Sequence, residues 1–242
     1  MKNETLIIGD LHGKIDVLKE AVKLDKHIIS LGDILDSFNR PPKDQIDCIN
    51  LLCDLIEDGK ARAIFGNHEF SYIRNDLRCS GHNFLTDTLF LSVRERVFKN
   101  FEHFIWLPKI KTLITHAGID KKHWDDNLIT VDNIVDELET AVRIKNSWFW
   151  NIGYFRGGIS DKGGPLWLDW DKEFTPAPEI RQIVGHTAFH QKTKLFREGW
   201  GFLGRSFIQT SPNGDLNIDV LDTAKQILNL DLDTGEVEVI TL

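Results

Sequence analysis

The chain has 242 residues, 41% hydrophobic and 27% charged, the balance of an ordinary globular protein with material for a sizeable core. Its formal net charge of −8 argues against an extended nucleic-acid surface, which needs clustered Lys and Arg, although metal ions can still make a local pocket cationic. No run approaches the ~20 apolar residues of a membrane span, and neither signal peptide nor anchor is expected at the N-terminus. Cys48, Cys53 and Cys79 lack CxxC or zinc-ribbon spacing, so a cytoplasmic protein with reduced thiols is expected.

In chain order, "TLII" (5–8) reads as a short buried strand, and "KIDVLKEAVKL" follows with Ile15, Leu18 and Val22 at helical spacing. "HIISL" (27–31) is a second strand. Beyond the "RPP" break, "DQIDCINLLCDLIED" sets Ile46, Ile49, Cys53 and Ile56 on one helical stripe. "ARAIF" (61–65) is a third strand. This alternation predicts βαβ units and a parallel sheet covered by helices. Residues 70–104 read as mainly helical, and "KTLIT" (111–115) and "RQIV" (181–184) as further strands. The tail, "DLNIDVLD", "KQILNLDLD" and "GEVEVITL", alternates polar and apolar, which predicts antiparallel strands with one wet face. No repeat or linker divides the chain, so residues 1–242 are expected to form one domain. The glycine-rich stretch 156–165 is an active-site loop candidate.

Five of these strands end alike. They run into Gly9-Asp10-Leu11-His12-Gly13, Gly32-Asp33-Ile34-Leu35-Asp36, Gly66-Asn67-His68-Glu69, Thr115-His116-Ala117-Gly118 and Gly185-His186-Thr187. The carboxyl ends of parallel strands share one sheet edge, where sites are built, so the five ends are expected to converge there. Carboxylate, imidazole and carboxamide suit manganese, iron, zinc or nickel, and no thiolate is offered. Glycines beside them let the backbone turn sharply. An Asp that bridges two cations permits metals ~3.5–4 Å apart, the arrangement used in phosphoryl hydrolysis.

GDLHG, GDILD, GNHE, THAG and GHT, in that order over residues 9–187, resemble the calcineurin-like metallophosphoesterases. The likeness is strongest to their phosphoprotein-phosphatase branch, which includes diadenosine-tetraphosphate hydrolases. The resemblance implies an α/β sandwich of two mixed sheets flanked by α-helices, and two divalent metal ions, with manganese favoured. It assigns Asp10 and His12 to the first metal, Asp33 to the bridge, and Asn67, His116 and His186 to the second. A metal-bridging hydroxide would attack, His68 would protonate the leaving oxygen, and Asp36 would orient His68. The implied substrate is phosphorylated: a nucleotide, a small phosphoester or a phosphoprotein.

The pattern departs from the branch at its second motif. Where members carrying out phosphomonoester hydrolysis usually read GDxxDRG, this chain has Ser37 and Phe38, and a serine cannot replace a bidentate guanidinium. Arg40, Arg74, Arg143, Arg156 and Arg181 are candidates for that lost charge, with Arg156 favoured and Arg74 second. The loss, and the concentration of Trp148, Trp150, Trp167 and Trp170, lean away from a phosphoprotein. Those tryptophans are read first as core, and as a base-stacking wall second. His82, His103, His123 and His190 are surplus, expected at the surface or satisfied in the core, with His190 able to reach the pocket rim. A protein phosphatase and a dinucleoside-polyphosphate or other nucleotide hydrolase stay open, as does a catalytically silent phospho-ligand binder. The residues do not indicate an oligomeric state.

Overall fold

The computed structural model describes residues 4–37, 39–74, 76–187 and 227–242 and, as backbone alone, 206–210, 216–220 and 226. Phe38 and His190 therefore lie outside the described residues.

The first half alternates as its hydrophobic pattern predicts: β1 (Glu4–Ile8), α1 (Ile15–Val22), β2 (His27–Ser30), α2 (Pro42–Glu57) and β3 (Ala61–Ile64). Then come α3 (Asn67–Phe70), α4 (Phe84–Phe90), α5 (Arg94–Asn100), β4 (Phe101–Glu102), β5 (Ile105–Leu107) and β6 (Thr112–Ile114). The remainder is α6 (Lys121–Asp126), α7 (Ile134–Arg143), β7 (Arg181–Val184), β8 (Ser206–Thr210), β9 (Leu216–Val220), β10 (Gln226–Asp231) and β11 (Val237–Thr241).

The strands form two sheets, one ordered β11-β10-β1-β2-β3-β4 and the other β5-β6-β7-β8-β9. Both are mixed. In the first, β1, β2, β3 and β4 run parallel and β10 lies antiparallel to β1; in the second only β6 and β7 are parallel. Strand apolarity is continuous because both faces are covered. Ile7, Ile29, Ile64, Ile114 and Ile183 meet in one buried cluster, whereas their neighbours Leu6, Ile8, Ile28, Ala63 and Leu113 join the larger cluster that holds the helices. Each such side chain contributes about 1.5–3 kcal/mol by leaving water.

Three expectations need correcting. The five motif-bearing strand ends do not share one sheet: β1, β2 and β3 supply three from the first sheet, β6 and β7 two from the second. Residues 70–104 are also less helical than their apolar spacing suggests, for residues 71–74 and 76–83 are turns and irregular chain. There Gly81 takes φ +89°, and Asn83 caps α4 by accepting from Thr86 N at 2.9 Å. A segment spent on turns and caps cannot also keep a helical ladder. Among the tail strands, β10 is buried from Ile227 to Leu230 with no wet face, since Ile227 enters the larger core cluster on one side and Leu228 and Leu230 the smaller one on the other.

Candidate metal centre

Three of the five strand ends, those of β1, β2 and β7, deliver their side chains through a sharp turn. His12, Asp33, Asp36 and His186 all sit at positive φ, from +41° to +66°, a region that non-glycine residues occupy only when their surroundings force them. The force on the β2 turn is visible. Buried Glu69 accepts four backbone N–H bonds, from Ile34 at 2.8 Å and Leu35 at 3.1 Å on Oε1, and from Asp33 and Gly66 at 2.9 Å each on Oε2. Glycines allow the close approach: a Cβ on Gly66 would lie 2.2 Å from Asp33 Oδ1, and one on Gly185 2.6 Å from Asp10 Oδ1.

Asp33 is the hub. Its Oδ2 lies 3.2 Å from His116 Nε2, 3.8 Å from His68 Nε2 and 3.9 Å from His12 Nε2. His116 Nε2 also stands 2.9 Å from Asn67 Oδ1 and 3.1 Å from His186 Nδ1. The backbone N–H of His186 donates to Asp10 Oδ1 at 3.3 Å. The structure thus gathers Asp10, His12, Asp33, Asn67, His68, His116 and His186, and two triads within it, His12-Asp33-His68 and Asp33-His116-His186, have the spacing to hold a cation.

The donor set fits metals. Adjacent donors on one ion, at ~2.1 Å each, stand about 3 Å apart, the separation found around His116. His12 Nδ1 is tied to the Leu35 carbonyl at 2.6 Å and His116 Nδ1 to that of Leu31 at 2.7 Å, which turns each Nε2 inward as ligand histidines require. His12 Nε2 is buried without a hydrogen-bond partner. Burial pushes His12 down to about 4 against the pull of Asp33, and pushes His186 well below its usual value with Arg156 adding to it. Both imidazoles are therefore neutral, the form that binds metal. Burial opposes charge on Asp33, but His116 and His68 outweigh it and hold the carboxyl well below the usual range.

His68 differs in its second nitrogen, Nδ1, which donates to Asp36 Oδ2 at 2.8 Å. Asp36 in turn receives the Tyr72 hydroxyl on Oδ1, and its own N–H donates to Gln45 Oε1 at 2.9 Å. Burial works against a charge on His68, yet Asp33 and then Asp36 raise its pKa above the ordinary histidine value. It therefore keeps its proton further up the pH scale.

The five arginines separate by position. Arg156 Nη2 donates to Thr187 Oγ1 at 2.7 Å, beside His186, while Nε lies 3.1 Å from Asp169. Arg74 makes two bonds to Asp76, at 3.1 and 2.8 Å, and stacks 4.7 Å over Trp150. Arg40 pairs with Asp16, Arg143 with Glu139, and Arg181 donates to the Gly235 carbonyl. Trp150, Trp167 and Trp170 are buried, and Trp148 stacks on His123 at 5.0 Å, which favours packing over a base-stacking wall. His82 contacts Ser71, His103 stacks on Phe65 and Phe70, and His123 bonds the Gly163 carbonyl. Glu69, Gln45 and Tyr72 escaped the sequence reading. Only Glu69 carried a signal there, as the last residue of Gly66-Asn67-His68-Glu69.

Among the described residues, no helix is long and apolar enough to cross a membrane. A family profile described as calcineurin-like phosphoesterase matches residues 4–188. A comparison with curated proteins finds no match. Among solved structures, a metallophosphoesterase from Sphaerobacter thermophilus is 15% identical, with 99% of this chain and 87% of that one covered at a TM-score of 0.46. TT1561 of Thermus thermophilus is 13% identical, covering 100% and 99% at 0.42. A protein serine/threonine phosphatase from Saccharomyces cerevisiae is 15% identical, with 49% of this chain and 39% of that one covered at 0.33.

Proposed function

The chain belongs to the calcineurin-like phosphoesterase family and is a metal-dependent phosphoester hydrolase; from that premise, we propose that it works with two divalent cations, manganese first among them, and a histidine acid. Asp10 and His12 would hold the first cation, Asn67, His116 and His186 the second, with Asp33 shared between them. When bound, the pair supplies Lewis-acid polarisation of a phosphoryl oxygen and an acidified water. The observation carrying this reading is the hub geometry, three imidazole nitrogens within 3.2–3.9 Å of Asp33 Oδ2.

The protein's own groups do the rest. His68 gives the leaving oxygen its proton from Nε2 as the ester bond breaks, while Nδ1 stays bonded to Asp36. Tyr72 and Gln45 keep Asp36 in place. Arg156 swings from Thr187 to a substrate phosphate. It is favoured over Arg74 because its Nη2 reaches Thr187, the neighbour of His186, whereas Arg74 faces Asp76 and Trp150. A serine in place of the motif's guanidinium favours substrates with less charge on the reacting phosphorus, a diester or a nucleotide, over a phosphoprotein. The free thiols of Cys48, Cys53 and Cys79 suit a cytoplasmic setting.

With manganese, bis-p-nitrophenyl phosphate, cyclic nucleotides and diadenosine tetraphosphate should be turned over faster than phosphopeptides or p-nitrophenyl phosphate. A preference for phosphopeptides would reverse the substrate reading. Metal uptake without turnover of any substrate would leave only the silent binder.

A further inference from the structure

Asn67 poses a problem that its neighbours alone do not solve. Its carboxamide has two ends of nearly equal size, and only the oxygen can ligate a cation. Oδ1 faces His116 Nε2 at 2.9 Å, while Nδ2 donates to Cys79 Sγ at 3.1 Å. The same thiol donates back to the Asn67 backbone carbonyl at 3.2 Å. Cys79 therefore grips one residue at two points, its carboxamide nitrogen and its main-chain oxygen. It reaches there from residues 76–83, turns and irregular chain in place of the expected helix.

We propose that Cys79 is a positioning residue for the second metal subsite: its thiol fixes the Asn67 carboxamide with oxygen toward the cation and nitrogen away. The inference rests on the reading of Asn67 as a ligand. Sulfur is suited to the task because it accepts from Nδ2 while its hydrogen serves the carbonyl. With that partner removed, the amide is free to turn its amino group toward the metal, where it repels. Groups behind a ligand typically contribute 10–100-fold to metal affinity, so the effect should fall on one cation and spare the other.

The test is calorimetric titration of metal-free protein with Mn²⁺, which reads binding without turnover. Wild type should show two steps. Cys79→Ala should weaken one of them about 10–100-fold and leave the other unchanged, and Cys79→Ser, which keeps a donor and an acceptor, should recover most of the loss. An alanine isotherm identical to wild type overturns the role of Cys79 while the metal reading stands. A wild type that takes up no Mn²⁺ overturns both. Should the alanine variant lose its native circular dichroism, alkylation of Cys79 in wild type by iodoacetamide decides instead. Mn²⁺ should slow it as Asn67 is locked against the thiol, and an unchanged rate refutes the proposal.

Discussion

The turn 32–36 and the loop 153–160 both approach the cluster around Asp33, and they are held by different means. In the turn, the N–H groups of Asp33, Ile34 and Leu35 go to Glu69 and that of Asp36 goes to Gln45, and Asp33, Ile34, Leu35 and Asp36 are all buried. The loop bonds to itself, Tyr154 N to the Ser160 carbonyl at 2.9 Å and Gly158 N to that of Gly153 at 3.1 Å. It turns Tyr154, Phe155 and a fully exposed Ile159 to solvent. Only Arg156 points back, to Thr187 and Asp169. Chemistry at a metal hub needs side chains fixed to fractions of an ångström, whereas a loop that meets substrates gains from adaptability. The first is over-determined by buried bonds, the second by almost none.

The largest effect should come from the turn's own partner in catalysis. His68→Ala is expected to lower kcat about 10²–10⁴-fold with circular dichroism unchanged, and a near-wild-type rate would remove His68 as the acid. Next, Glu69→Gln places an amide nitrogen against N–H groups that now find a carboxylate. It should destabilise the metal-free protein by about 2–4 kcal/mol in urea denaturation. Ile159→Ser, at the loop's exposed tip, should stay within ~0.5 kcal/mol in the same measurement. Equal losses for these two variants would erase the contrast. Arg156→Ala should lower kcat/KM about 10–100-fold while the protein still takes up Mn²⁺, because its proposed role is on substrate and it is not a ligand.

The smallest effect concerns the base of the turn. His103 stacks on Phe65 and Phe70, which bracket the segment from Gly66 to Glu69, and burial pushes its pKa from 6.5 down to about 4. The folded state thus keeps the ring neutral where the unfolded chain would protonate it. Its contribution is complete above pH 6.5 and is lost progressively as pH falls toward about 4. His103→Phe should flatten that acid limb in denaturation midpoints measured from pH 7 to pH 4, while a parallel limb would show that other groups carry it.

The chain's sequence displayed β1, β2, β3, β6 and β7 because each is a short apolar run that stops at Gly or Thr, a signal complete within a few residues. It overstated helix between 70 and 104, since apolar spacing does not reveal that residues 71–74 and 76–83 are diverted into turns and caps. Arg156 and Arg74 could be ranked but not placed. Nothing local tells that one meets Thr187 and the other Asp76 and Trp150.

What the sequence determined by itself was the family and the inventory of donor side chains, since residue type and strand-end position are local properties that survive any arrangement of the layers. Tertiary structure alone decided that those ends come from two sheets, that Glu69 ties down the Asp33 turn, and that a thiol stands behind Asn67. Each joins segments distant in the chain, and which distant groups meet depends on how sheets, helices and turns pack together, not on any stretch read singly.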